Sequence, residues 1–353
     1  MSAADEIRRV VEDHGPITFA EFMELALYGP GGYYELHPVG PHGDFVTSPH
    51  VHPVFARLLA RAVRELWAAL DRPQPLTIAE VGAGDGTLAR ELARELEGLP
   101  LRYTALERSP GARAALEEVD DLVVSEELPA GAHVVLANEL LDNLPFRLFR
   151  NGHEVRIGLE GGRLTETEAP IDPPLPRAPT DRTEYAYPEA AIVFLERIAG
   201  AIRPGYALLI DYGFEGKSGE VHGYRAHRVV EDVLGDPGGT DVTAGVDFAF
   251  LAAIATNLGL VALGTVSQRA ALLSLGFEGW LAKELDRQQI LLHQGKGLEA
   301  VRAWGDRSRA TLLVYPAALG RLRWWLIASR GLRRPGWWTT AIDLERGMRP
   351  PAD

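Results

Sequence analysis

The sequence predicts an α/β fold, a doubly wound Rossmann-like sheet with an N-terminal helical cap and an inserted β-hairpin. Three observations predict it. From Leu76 onward, short apolar runs alternate with amphipathic segments of helical period, a β-α-β-α rhythm that puts a parallel sheet between two helical layers. The first run, "LTIAEV", passes through the glycine-rich turn "GAGDG" straight into a helix-period segment, as at a ligand-binding sheet edge. After Leu144 the period drops to two, with Asn151-Gly152 and Gly161-Gly162 as turn pairs, which reads as an antiparallel hairpin or meander.

The elements follow in order. Helices are predicted over 3–13 and 19–27, the second capped by Thr18 with Glu21 as its capping-box partner. Residues 28–49 are rich in Gly and Pro and are predicted as a long loop of functional type. A helix over 54–70 is closed by Pro73 and Pro75. Strands are then predicted over 76–81, 101–106, 123–124 and 133–137, with helices over 87–97 and 111–118. A helix over 189–201 and a strand over 206–210 resume the rhythm after the meander. A second long loop is predicted over 213–241, followed by helices near 247–257, 277–289 and 298–310 and strands over 260–266 and 324–328. The expected division is a cap over 1–70, an α/β domain over 71–331 with insertions near 146–186 and 213–246, and an irregular tail over 332–353.

Composition narrows the function. The 353 residues carry 49 acids against 36 bases, a formal charge of −13, which argues against nucleic acid and against an anionic membrane surface as partners. The absence of cysteine removes disulfides, zinc–thiolate sites and thiol nucleophiles. No apolar run is long enough to span a bilayer, and the acidic N-terminus is unlike a signal or transit peptide. A soluble, cytoplasmic protein is expected. The ten histidines show no metal-ligand spacing, so no metal is expected, and His50 and His52 read as surface or loop residues. Trp324-Trp325 and Trp337-Trp338 read as a core strand and as tail packing.

The glycine turn bears on the ligand. A phosphate-binding P-loop needs Lys followed by Ser or Thr, and this turn has neither in place. A dinucleotide turn would set the pyrophosphate beside Glu80 and Asp85, like charge against like. S-adenosyl-L-methionine suits the site better: it has no phosphate, and its ammonium and sulfonium are charges that carboxylates balance. In that reading Glu80, Gly82, Gly84 and Asp85 form the cofactor turn. Glu107, at the end of the second strand, accepts the ribose hydroxyls. Asn138-Glu139 and Asp142 follow a core strand at the same edge. Asn138 can hold the cofactor. Glu139 and Asp142 can clamp a guanidinium and take its charge or proton, or simply cap a helix. Asp44, Thr47 and Ser48 can bind the methionine end or close a turn. Tyr34, Asp211, Tyr212 and Asp241 are candidates for acceptor contact.

With "LANELLDNLPFRLF" (residues 136–149) added, the chain resembles the MidA-like family of methyltransferases, which includes the mitochondrial complex I assembly factor that methylates a protein arginine. Further matching segments are "TFAEFMELALYGPGGYY" (18–34), "GDFVTSPHVHPVFARLLA" (43–60), "LLIDYG" (208–213), "DPGGTDVTAGVDF" (236–248), "SQRAALLSLG" (267–276) and "LGRLRWWLIASRG" (319–331). The resemblance implies S-adenosyl-L-methionine as cofactor, direct methyl transfer, and a protein arginine as acceptor. The residues alone leave open a small molecule or carrier-bound intermediate as acceptor, a cofactor-binding assembly factor without turnover, and a homodimer among the oligomeric states. Two departures fall where the acceptor is expected: "GEVHGY" (219–224, with Glu220) replaces a Gly-Thr-Leu-Arg-like run, and Gly245 stands where the family usually has histidine.

Overall fold

The computed structural model describes residues 2–37, 47–117, 119, 122–172, 175, 184–225 and 228–348. Its centre is a seven-stranded sheet: β1 Leu76–Val81, β2 Leu101–Leu106, β3 Leu122–Ser125, β4 Val134–Asn138, β5 Tyr206–Asp211, β6 Val261–Ser267 and β7 Arg323–Ala328. The spatial order is 3-2-1-4-5-7-6. Strands β3, β2, β1, β4 and β5 pair in parallel, and β7 lies antiparallel between β5 and β6. The order reverses between β1 and β4, and the crevice at such a reversal, outside the carboxyl ends of the strands, is where open α/β sheets bind ligands.

Both sheet faces are covered. On one side the helix Val54–Ala69 and the helix Thr87–Glu95 bury Phe55, Leu59, Val63 and Leu92 against Ile78, Leu136 and Leu208. On the other, Glu189–Ala201 and Phe248–Asn257 bury Leu195, Ile198 and Leu251 against Val135, Ala207 and Trp325. A third core lies apart from the sheet. It joins the helix Ala3–His14 and the segment Phe19–Tyr28 to the meander Arg147–Arg150, His153–Glu160 and Arg163–Ala169. Thr18 caps its helix as predicted: the Thr18 hydroxyl accepts from the Glu21 N–H at 3.1 Å, and the Glu21 carboxylate from the Thr18 N–H at 2.7 Å. Asn151, Gly152, Gly161 and Gly162 all have positive φ, the backbone that two-residue hairpin turns need.

Three expectations are corrected. The loop predicted over 213–241 contains the strands Val221–Arg225 and Arg228–Val230, which form a small sheet with Asp241–Ala244. The predicted loop over 28–49 contains the short helical turns Tyr33–Leu36 and Ser48–Val51, and residues 38–46 lie outside the described residues. The tail is not irregular. Gly336–Met348 is a helix whose Trp337, Trp338 and Ala341 are buried, with the Trp338 indole donating to the Leu263 carbonyl at 3.0 Å. Its free N-terminal amide at Trp337 donates to Glu65 at 3.1 Å, a side-chain cap supplied by a distant helix. Adjacent threonines and an arginine-rich approach hid that helix from periodicity. Among the described residues no helix is long and apolar enough to cross a membrane, and no cluster of His, Asp or Glu is arranged to hold a metal.

Candidate active site

Strand β1 carries Glu80 to the reversal point and hands over to the glycine turn. Gly82, Gly84 and Gly86 have φ of 72°, 55° and 75°, left-handed conformations that cost a residue with a Cβ roughly 1–2 kcal/mol each. Space excludes side chains as well. A Cβ on Gly82 would sit 3.0 Å from Leu140 Cδ1, and one on Gly86 2.7 Å from Leu116 Cδ2.

Around this turn the acids are held very differently. Glu107, just past β2, accepts from the Gly84 N–H at 2.9 Å through one oxygen and from the Arg108 and Ser109 N–H groups at 2.7 and 2.9 Å through the other. Three amides thus fix its carboxylate in the cleft wall. Glu80 is buried, with the Tyr103 hydroxyl donating at 2.6 Å. Burial pushes its carboxyl up to about 8, the Tyr103 bond opposes the shift, and the charges of Glu107 and Asp85 add to it.

Asp85 accepts from the Thr87 N–H and hydroxyl at 3.0 and 2.9 Å, and both of its oxygens lie 3.2 Å from His50 Nε2. Burial raises its pKa, but the bonds from His50 and Thr87 outweigh burial and leave it lowered. His50 is therefore not a surface residue. Its side chain is 6% exposed, and its other ring nitrogen lies 2.8 Å from the Thr47 hydroxyl. The spacing of two distant segments put it there, and no local motif announces it.

The end of β4 forms the opposite wall. Glu139 takes φ 54°, uncommon for a residue with a side chain and a mark of strain held in place by its surroundings. One of its oxygens accepts from the Ser48 N–H and from the Asn138 amide, both at 3.0 Å. Burial pushes its carboxyl up to about 7, against the Ser48 bond and with help from Asp211. Among the described residues, Asn138 Oδ1 and Asp142 Oδ1 are buried without a hydrogen-bond partner. Such orphaned acceptors are uncommon and call for an explanation.

Beneath this wall, Asp211 accepts from the backbone N–H groups of Leu140, Leu141 and Asp142 at 2.9, 2.5 and 3.4 Å and from that of Tyr212 at 2.7 Å. Burial pushes it up to about 6, against the Leu141 and Tyr212 amides. Burial first, then the Asp211 and Asp241 charges, push Asp142 well above the carboxylate range. The Asp142 carboxyl shares a hydrogen bond with Asp211, which favours the protonated form of Asp142 and the ionised form of Asp211. Asp241 completes the group, accepting from the Asn143 amide at 2.9 Å and the Tyr34 hydroxyl at 3.2 Å.

A cleft of 2420 Å³ runs between these walls and is lined by Thr47, Glu80, Gly82, Gly84, Asp85, Glu107, Asn138, Glu139 and Asp142, with Tyr34, Tyr212 and Asp241 further along. Ser48 and Asp211 do not reach it. Ser48 is fully buried and bonded to Gln268, and Asp211 is the floor that fixes the 140–142 turn. Asp44 lies outside the described residues. Two cleft residues had no signal in the motif search: His50, and Arg108, whose guanidinium lies 4.4 Å over the Tyr28 ring and pairs with Glu24. The cleft offers many acceptors and a backbone that admits close approach, which suits a ligand bearing hydroxyls and positive charge. Its volume exceeds the ~300–1,000 Å³ usual for one small ligand, leaving room for a second reactant.

Comparison with known proteins gives the ligand. The sequence matches, over residues 58–266, the family described as S-adenosyl-L-methionine-dependent methyltransferases. The mitochondrial protein arginine methyltransferase NDUFAF7 of Rattus norvegicus is 30% identical to this chain, over 84% of it and 80% of that protein. Its Homo sapiens counterpart is 29% identical, over 80% and 76%. A crystal structure from Burkholderia thailandensis with S-adenosyl-homocysteine bound superposes with a TM-score of 0.79 at 26% identity, covering 94% of this chain and 93% of that one. The chain belongs to the MidA-like family of S-adenosyl-L-methionine-dependent methyltransferases.

Proposed function

We propose that this methyltransferase modifies the guanidinium of a protein arginine, with Glu139 and Asp142 receiving the acceptor. The observation that carries the reading is the pair of buried carboxyls in the cleft wall across from the glycine turn, one with an oxygen that no group among the described residues satisfies. A guanidinium supplies the donors such a wall lacks, in a fork that matches carboxylates. The NDUFAF7 relatives, named as protein arginine methyltransferases, support the same acceptor.

The residues of the donor side fit the cofactor. Glu107, already fixed by three amides, has room left on the oxygen that faces Gly84 for a ribose hydroxyl. Asn138 Oδ1 offers an unused acceptor to the ammonium, and the glycine turn admits the ligand against backbone. The cofactor supplies a methyl group made electrophilic by its sulfonium. The chain's work is to align the acceptor nitrogen with it, and such positioning accounts for much of a displacement's acceleration. As the N–C bond forms, the nitrogen must shed a proton. Glu139, held near 7, is suited to take it.

The test is incubation with isotopically labelled S-adenosyl-L-methionine and a protein extract, followed by peptide mass spectrometry. Labelled methylarginine that disappears with Glu139→Gln is expected. Label confined to small molecules would reject the protein acceptor.

A further inference from the structure

Away from the cleft, the helices Phe277–His293 and Gly297–Thr311 form an antiparallel hairpin joined at Gln294–Lys296. None of its residues lines the cleft. It is rooted in the body by Phe277 and Trp280, whose indole packs edge-on to His52 at 5.0 Å, and by Leu313 and Val314. Beyond this root it is bare. From Leu281 to Glu299 no residue is buried, and the second helix buries only Ala300, Ala303 and Ala310.

Yet the hairpin is not polar. Among the described residues, eight of the fifteen exposed large apolar side chains fall within residues 277–315, a ninth of the chain. Leu298, Val301 and Trp304, at 68%, 62% and 54% exposure, succeed one another at three-residue steps along one side of their helix. Leu285 and Leu292 stand two turns apart on the other helix. Helices owe most of their stability to packing an apolar face, and an apolar stripe left in water marks a contact surface.

We infer that this hairpin is the surface through which two copies of the chain associate, the four helices packing as a bundle about a two-fold axis. Charge selects a second copy. Residues 277–315 hold five acids and six bases, a net +1, so the rest of the chain carries the whole acidic excess of −13 and more. Two copies repel each other over the rest of their surfaces and are free to meet here. A two-fold contact sets the same patch against itself, which a near-neutral apolar stripe allows and a strongly charged one forbids. Area agrees. The five stripe side chains, with on the order of 100 Å² uncovered each, supply more than half of the roughly 800 Å² per partner that a stable interface buries. Paired hairpins are also a standard route to a four-helix bundle, and the arrangement leaves both clefts open to a bulky acceptor.

The experiment is sedimentation velocity on the full chain at about 50 μM, for wild type, for the double variant Val301→Glu with Trp304→Glu, and for Val229→Glu. Val229 is 60% exposed on the strand Arg228–Val230. The expected result is a dimer for wild type and Val229→Glu and a monomer for the double variant, with S-adenosyl-homocysteine affinity unchanged by calorimetry to show that the fold is intact. A wild-type monomer, or a double variant still dimeric, overturns the inference. Co-sedimentation of monomeric wild type with anionic phosphatidylglycerol vesicles, lost in the double variant, would assign the stripe to a lipid surface instead.

Discussion

The two walls of the cleft use the same side chain to opposite ends. On the glycine-turn side, Glu107 holds three backbone donors before any ligand arrives, and Asp85 is bonded to His50 and Thr87. Those acids stand ready as acceptors of fixed orientation. On the side of Glu139, Asp142, Asp211 and Asp241, four carboxyls crowd together, and after burial the charges of Asp211 and its neighbours raise the pKa of Glu139 and Asp142. Burial and mutual repulsion push Glu139 up to about 7 and raise Asp142 as well. The first wall is built to hold a ligand. The second is built to respond to a cation, because a cation restores the charge that burial suppresses.

Four variants break or sharpen this contrast. The largest effect is expected from Gly84→Val, which forces a branched side chain into φ 55° at the point where ligand meets backbone. Calorimetry should detect no S-adenosyl-homocysteine binding, and unchanged affinity in a folded variant would sink the assignment of this wall to the cofactor. Next comes the double variant Glu139→Gln with Asp142→Asn. It should lower methyl transfer by at least about 100-fold, as when positioned acid–base groups are lost, while cofactor affinity stays within a few-fold. Single-turnover transfer at the wild-type rate would show that the second wall only shapes the turn.

Glu107→Ala should weaken the cofactor by roughly 1.5–3 kcal/mol, the scale of a charged hydrogen bond in a buried site. Isothermal titration reads this directly, and a loss below that range would mean that the amides around Glu107, not its carboxylate, hold the ribose.

The smallest effect concerns pH. The Glu80 carboxyl is pushed up to about 8 in the folded chain, from an ordinary value of 4.5, so the folded chain holds the proton more tightly than the unfolded one. Its contribution is fully present below about 4.5 and is lost as pH rises through about 8. Glu80→Gln, which keeps an acceptor for Tyr103, should therefore raise the melting temperature by a few degrees at pH 9 and hardly at all at pH 4. An equal shift at both pH values would show that Glu80 is not the group that titrates.

The contrast between the walls also explains what the sequence disclosed. The glycine turn and Glu107 were legible because their geometry is local: a strand end, three glycines and an acid about twenty residues on fix one another through the backbone. The meander was legible for the same reason, its turns written in Asn151-Gly152 and Gly161-Gly162. The second wall is assembled from Ser48, Asn138, Asp211 and Asp241, far apart in the chain. Residue types at strand ends nominated Asp211 as an acceptor contact, but its role is to gather the amides of residues 140–142. His50 looked like a loop histidine because only the folded chain brings Asp85 to it. The helix Gly336–Met348 was missed because its cap comes from Glu65, 272 residues away.

The third core has a consequence for synthesis. Ile17 pairs with Ile157 and Thr18 with Arg156, and Phe19 stacks on Phe146 at 5.4 Å. The segment over residues 3–28 thus leaves the ribosome ahead of partners that follow about 130–140 residues later, on the order of 10–30 s at ordinary elongation rates. Throughout that interval Ile7, Val11, Phe19, Phe22 and Leu27, all buried in the finished protein, lack the meander that completes their core. The N-terminal segment is then a natural client for a chaperone at the exit tunnel. Nascent chains halted near residue 150 should be cut by protease within residues 3–28, and released full-length chains should resist.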